Sequence, residues 1–290
     1  MTISSGAGSG LACGPGAFGT AVAVCGLTFA PEGPGCVPAL ARDRCWILKS
    51  YDWHAMTPFH FGSRQRRLFG NYEPAQDIFG KLRAVLLCHP MGNEQIFAYR
   101  TMRLLAARLV QAGFHVLRFD YFGTGDSYGD TGEGDLASWC GDIETALEEL
   151  KEITGATRVN LVGLRLGANL SARVAAHRQK DINKLILWEP LAADELAVAG
   201  FGRRAIRADR DPRLIESGIV RCIARDAIPS KAALLPRSTL VLLTARPPSP
   251  TEFGSLAVQY VAEVSAWIED RLETGSIPGG ALQRVVDWLQ

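Results

Sequence analysis

The five residues Gly163-Leu164-Arg165-Leu166-Gly167 stand at the turn of a strand–turn–helix unit. The run Arg158–Gly163 ahead of them is a short apolar strand, and Ala168–His177 behind them reads as a helix. Glycines at the first and fifth positions let the chain turn sharply and let the helix pack close to the strand. A nucleophile elbow has this construction, with a serine at its centre. Here the centre is Arg165. A guanidinium stays protonated at any ordinary pH and cannot attack a carbonyl. It can hold an anion, because its planar fork matches a carboxylate or phosphate with two parallel hydrogen bonds. The helix N-terminus beside it also favours negative charge. Three readings of Arg165 remain open: it binds an anion, it pairs with a nearby carboxylate such as Glu189, or it lies on the surface of a packed turn.

Other residues cluster around the same edge. His89-Pro90-Met91-Gly92-Asn93-Glu94 follows a buried strand. In an acyl-transfer site, a loop here gives one backbone N–H to the oxyanion, and the residue after the nucleophile gives the second. Those donors would be Met91, or a neighbour, and Leu166. The same stretch also reads as a helix start with Asn93 as cap. Asp120-Tyr-Phe-Gly-Thr-Gly-Asp-Ser127 follows the next strand. We read it as a shape-setting loop held by hydrogen bonds from Asp120, the alternative being catalysis by Asp126 or Ser127. Glu189 ends a further strand and could serve as acid, base or partner of Arg165. Pairing with Arg165 would lower its pKa, which suits a structural ion better than a general acid. Arg165, His89 and Glu189 are therefore the catalytic candidates. Gly163, Gly167, Asp120, Asp126 and Ser127 are the candidates for shaping the site. Cys88, next to His89, is a conceivable nucleophile or a core residue.

A serine triad would also need a late histidine, since the order in this construction is nucleophile, acid, histidine. The histidines are 54, 60, 89, 115 and 177, so the last 113 residues contain none. After the strand Ser238–Ala245, where the acid often sits, no carboxylate occurs before Glu252. Nucleophile and base are both missing, and the acid has no clear carrier.

The elements that would position these residues follow from periodicity. Phe59, Phe61, Leu68, Phe69 and Tyr72 suggest a hairpin turning at Gly62-Ser63. Arg64–Arg67 in that turn reads as solvated. Strands are expected at Lys81–Cys88, His115–Tyr121, Arg158–Gly163, Ile182–Trp188 and Ser238–Ala245. Helical spacing is found over Glu94–Ala112, Asp135–Thr154, Gly254–Leu272 and Gly280–Leu289. Alternating strands and helices predict an α/β fold with a mostly parallel, doubly wound sheet and helices on both faces. Ligands of such sheets sit beyond the carboxyl ends of the strands. The loops 89–94, 121–134 and 164–167 should meet there, with 191–236 as a short lid or insertion.

Composition is that of a globular protein, 47% hydrophobic and 21% charged, so a full core can form. The net charge of +1 lacks any basic or acidic block, which gives no reason to expect nucleic acid or an anionic membrane as partner. No apolar run approaches a membrane span. Seven cysteines without a C-x-x-C pair suggest no zinc site, and we expect a reducing, cytoplasmic compartment. No G-x-G-x-x-G and no ligand cluster indicates a cofactor or metal. Residues 1–55 hold four of the cysteines and no lasting periodicity. We expect a disordered or non-native extension there, with Met56 as a candidate start and 56–290 as the domain.

The stretches F-H-F-G-S-R-Q-R-R-L-F-G, L-L-C-H-P-M-G-N-E, F-H-V-L-R-F-D-Y-F-G-T-G-D-S, L-V-G-L-R-L-G-A and L-I-L-W-E-P together resemble the α/β-hydrolase superfamily. In particular they resemble its serine-aminopeptidase-like branch, including hydrolases that accompany exosortase systems. The resemblance covers about residues 59–190. It implies an eight-stranded, mostly parallel sheet and a history of ester, thioester or amide ligands. The expected function is that of a degenerate hydrolase that binds a small acyl or anionic ligand, or a protein partner, without classical serine hydrolysis. Two alternatives stand beside it. One is an active esterase, thioesterase or acyltransferase of unusual design that uses Arg165 and the oxyanion loop. The other is a decayed member with no catalytic role.

Overall fold

The computed structural model describes residues 56–76, 82–130, 133–191, 235–245, 247–248, 253–268 and 276–290. The expected extension over 1–55 lies outside the described residues, as does the 191–236 insertion apart from its ends.

The described residues form an eight-stranded sheet with strand order β1-β2-β4-β3-β5-β6-β7-β8. β1 (Thr57–Gly62) and β2 (Arg67–Glu73) make the expected antiparallel hairpin, and β2 runs antiparallel to β4 (His115–Phe119). From there the sheet is parallel through β3 (Ala84–Cys88), β5 (Val159–Leu164), β6 (Ile182–Trp188), β7 (Thr239–Leu243) and β8 (Ala257–Tyr260). Strands buried on both faces are apolar throughout rather than alternating. Ala-Val-Leu-Leu-Cys in β3 and Leu240–Leu243 in β7 show this, with every residue buried.

Alternate residues of each strand feed two core layers. Leu86, Cys88, Leu117, Leu161, Leu187 and Val241 pack with α2 (Leu136–Thr154) and α3 (Leu166–His177). Val85, Leu87, Val116, Val162, Ile186 and Leu240 pack with α1 (Asn93–Gln111) and α4 (Gly279–Leu289). α2 starts with a capping box in which Asp135 accepts from Ser138 N at 2.7 Å and Ser138 Oγ accepts from Asp135 N at 2.9 Å. Such a box satisfies two helix-end donors reciprocally.

Three expectations are corrected. Gly254–Leu272 does not form one helix: Ala257–Tyr260 is the parallel edge strand β8, and 261–265 has no regular structure. The exposed edge of β7 offers unpaired backbone groups, and pairing with them outweighs a helical spacing of apolar residues that is only partly buried here. The helix before Gln111 is entered through Gly92, at φ 62°, with no side-chain cap, so Asn93 is its first residue and not its cap. The Arg64–Arg67 turn is not merely solvated. Arg66 donates to Asp142 from Nε at 2.7 Å and Nη2 at 2.9 Å, and its guanidinium lies 4.2 Å from the centre of the Phe122 ring. This pins the hairpin to α2.

Candidate active site

The elbow lies between β5 and α3. A Cβ added to Gly163 would come within 2.3 Å of Gly167 O, and one on Gly167 within 2.4 Å of Cys88 O and 2.5 Å of His89 O. Both contacts are with backbone, so no side chain can move aside. The two glycines therefore set the distance at which α3 meets β5 and β3. Arg165 sits between them at φ 54°, ψ −120°. Its N–H donates to Trp188 O at 3.0 Å, which ties the turn to the end of β6. Glu189, the next residue along β6, has φ 44°. Among the described residues these two are the non-glycine residues at positive φ, and each directly follows the last residue of a strand. Such backbone costs on the order of 1–3 kcal/mol per residue and tends to mark functional positions.

Arg165 is 8% exposed. Its Nε donates to Glu94 Oε1 at 3.2 Å, and its Cζ lies 5.0 Å from the centre of the Trp267 ring. Glu94 belongs to the first turn of α1, where the partial positive charge of the helix end favours a carboxylate. The beginnings of two helices, α1 and α3, thus converge on one ion pair. Trp267 comes from the loop between β8 and α4, where a triad would carry its histidine. In that loop Glu263 is taken up in holding α4, accepting from Gly280 N and Ala281 N at 2.8 Å each.

Of the sequence candidates, the structure brings Arg165 to the edge beside the 89–94 loop. Glu189 is not the partner of Arg165, because that role falls to Glu94. Glu189 instead accepts from Thr244 N at 2.7 Å and Ala245 N at 3.4 Å, joining the ends of β6 and β7. A carboxylate committed to backbone amides in this way is a positioning group.

His89 is buried, and its Nδ1 has no partner among the described residues. Burial, helped by the Arg118 charge, pushes its pKa down to about 3. It is neutral at physiological pH and too weakly basic to take a proton efficiently there. Arg118 is itself buried and donates to Glu73 Oε1 from Nε at 3.2 Å and Nη2 at 3.0 Å. The Cys88 thiol faces the α2/α3 core, and burial raises its pKa to about 12. The thiolate, not the thiol, is the nucleophile, so this cysteine is inert at neutral pH.

Met91 and Leu166 are both buried. Leu166 opens α3, and a first-turn N–H has no acceptor in its own helix. The 120–127 loop is held as a turn. The Asp120 carboxylate accepts from Gln95 Nε2 at 3.0 Å and Asp126 N at 3.1 Å. Ser127 Oγ donates to Asp120 O at 2.6 Å and accepts from Phe69 N at 2.8 Å. Asp126 is exposed. Asn169 of α3 exchanges hydrogen bonds with the Leu191 backbone, at 3.0 Å and 2.9 Å, and so fixes where the chain leaves towards 192–234.

Sequence reasoning missed Glu94 and Trp267. Glu94 had a signal, as an acid in the first turn of a helix whose N-terminus had to face the elbow. Trp267 had none, because its segment reads as helical. Among the described residues no group of His, Cys, Asp and Glu could hold a metal ion, and no helix is long and apolar enough to cross a membrane.

A parallel sheet with an antiparallel hairpin at one edge, flanked by helices and carrying a glycine-framed elbow after β5, defines an α/β-hydrolase fold. The family model for serine aminopeptidases (S33) matches residues 80–216. Solved structures agree on the fold. The enol-lactonase from Burkholderia xenovorans LB400 superimposes with a TM-score of 0.56 at 14% identity, over 80% of this chain and 99% of its own. Est1E from Butyrivibrio proteoclasticus, solved with ferulic acid bound, gives 0.57 at 16% identity, over 80% and 96%. A hydrolase from Pseudomonas aeruginosa gives 0.54 at 16% identity, over 80% and 98%. No curated protein sequence matches the chain.

Proposed function

We propose that this protein is a hydrolase-fold binder in which the elbow holds a ligand instead of attacking it. The ligand is an acyl compound or one bearing a carboxylate, and no serine-type hydrolysis takes place. One observation carries the reading: Arg165 occupies the elbow position at positive φ, nearly buried, with a carboxylate on its Nε and an indole face beside it. A guanidinium so placed is set to bind an anion through hydrogen bonds and charge. The start of α3 adds backbone donors of the same sign.

The other groups support this reading and not a triad. His89 is buried neutral, Cys88 is a buried thiol, and Glu189 is spent on the Thr244 and Ala245 amides. The loop after β8 supplies Trp267 to the elbow residue. Cytoplasmic residence belongs to the same proposal, resting on the free thiols of Cys88 and Cys140.

The test is hydrolysis of a panel of short- and long-chain acyl esters and thioesters by the full chain and by Arg165→Ala. The expected result is no turnover above background in either protein, both remaining folded by circular dichroism. Turnover in the wild type that disappears in Arg165→Ala would overturn the proposal in favour of an enzyme that stabilises an oxyanion with Arg165.

A further inference from the structure

The outer surfaces of the two longest described helices carry opposite charges. On α1, Ile96, Tyr99 and Arg100 stand at i, i+3 and i+4, which puts them on one ridge, and Arg103 continues it a turn further on. Ala98, Met102, Leu105 and Leu109 hold the other face of this helix in the core. Ile96 is 69% exposed and Tyr99 48%, with Arg100 exposed beside them. On α2, Glu149, Glu152 and Ile153 repeat the same spacing, off the stripe of Ile143, Leu147 and Leu150 that packs inward. Glu152 is exposed, and Ile153 is 40% exposed.

Single exposed apolar side chains are ordinary on a protein surface. These stand beside charges that the chain does not neutralise. Among the described residues Arg100, Glu149 and Glu152 take part in no ion pair, whereas Glu148 of the same helix pairs with Lys151 at 3.5 Å and with Arg178. The acids of α2 are also badly placed for an isolated copy. Glu152 lies in the last turn, where the partial negative charge of the helix end favours a cation. Glu149 lies one turn before it, so the two carboxylates repel each other. Partial burial and the charge of Glu152 both push the Glu149 pKa up. A cation from outside would relieve both conflicts.

We infer that the protein self-associates through these two ridges: the α1 ridge of one copy docks on the α2 ridge of the next, with Arg100 between Glu149 and Glu152, and Ile153 against Ile96 and Tyr99. The partner is a second copy of this chain because one chain carries both halves of the complementary pair. Its net charge of +1 also leaves little repulsion between copies. The two helices cover opposite faces of the sheet, so the contact is heterologous. A pair of copies keeps one free ridge of each kind, and association can continue into a chain or close into a ring. Two short ridges make a small interface, so the association is weak and depends on concentration. The inference is independent of the elbow and of any ligand held there.

The experiment is sedimentation velocity on the full chain over a rising concentration series. Wild type is compared with Arg100→Glu and with the double variant Glu149→Lys/Glu152→Lys, and circular dichroism checks each fold. The wild-type sedimentation coefficient should climb with concentration. The climb should shrink in about 1 M salt, where the Debye length is about 3 Å. Each variant alone should stay at the monomer value. An equimolar mixture of the two should regain the climb, because the new glutamate then meets the new lysines and the untouched Arg100 meets the untouched acids. A wild type that stays monomeric throughout overturns the inference and leaves the ridges to some other partner. Association of either folded variant as strong as that of wild type overturns it too, by placing the contact elsewhere. A mixture that stays monomeric shows that the two ridges do not meet, with the same consequence.

Discussion

His89 should give the fold a marked sensitivity to acid. In the native state its imidazole is buried, lies near the Arg118 guanidinium and has a pKa of about 3. In the unfolded chain an imidazole titrates near pH 6.5. Below that pH the unfolded state binds a proton that the folded state refuses, so stability falls as pH falls. The slope approaches about 1.3 kcal/mol per pH unit near pH 5, and the loss summed from about pH 7.5 to pH 5 is about 2 kcal/mol. Asp120 and Asp142 act with the opposite sign. Burial raises both folded pKa values, so the native state binds their protons first and gains stability as pH falls. Cys88 titrates too high to contribute in this range. Comparison with His89→Gln cancels the carboxylate contributions. Urea unfolding followed by circular dichroism at half-unit pH steps should give wild type a steeper acid loss than His89→Gln, by about 2 kcal/mol over that range. The absolute stability of the variant is not the readout, since a buried glutamine amide carries its own cost. Parallel curves for the two proteins would refute the placement of His89 as a buried neutral group.

Further outcomes follow from the elbow and its supports. Gly167→Ala forces a Cβ against the Cys88 and His89 carbonyls, and should destabilise by about 1–3 kcal/mol in urea unfolding. A loss below a few tenths would mean that α3 does not pack this closely. Asp142→Ala strips Arg66 of a bidentate partner and Phe122 N of its acceptor, so a loss of about 2–4 kcal/mol is expected by the same assay. Glu189→Ala leaves the amides of Thr244 and Ala245 without their carboxylate and should cost about 1–3 kcal/mol, whereas Glu189→Gln, which keeps an acceptor oxygen, should cost clearly less. Equal losses in the two variants would point to the charge of Glu189, and not its acceptor, as what matters.

Much of this molecule could be read from its residues because its signals are local. β3 and β5 are apolar runs between breakers, and α2 carries its cap, its stripe and its terminal Gly155 within one stretch. Gly163 and Gly167 announced the elbow because their spacing fits a backbone requirement that only glycine meets. What stayed hidden was decided by contacts distant in sequence. Arg165 could choose between Glu189 and Glu94, and the side chain on α1, 71 residues away, is the one that reaches it. Glu189 looked chemical, yet its carboxylate is taken by amides of the next strand. β8 reads as helix because its alternation is short, and only the open edge of β7 makes it a strand. Trp267 could not be placed until that correction was made. Arg66 and Asp142 lie 76 residues apart, and neither looks buried in the sequence.

The central claim, that the elbow of this α/β-hydrolase fold holds a carboxylate instead of attacking an ester, is tested most directly by one side-by-side titration. Wild type and Arg165→Ala are each titrated with octanoate while tryptophan fluorescence is followed, Trp267 being in contact with Arg165. The account predicts a saturable change in wild type that is absent from folded Arg165→Ala. Equal saturable binding by both proteins, or none by the wild type, would contradict it.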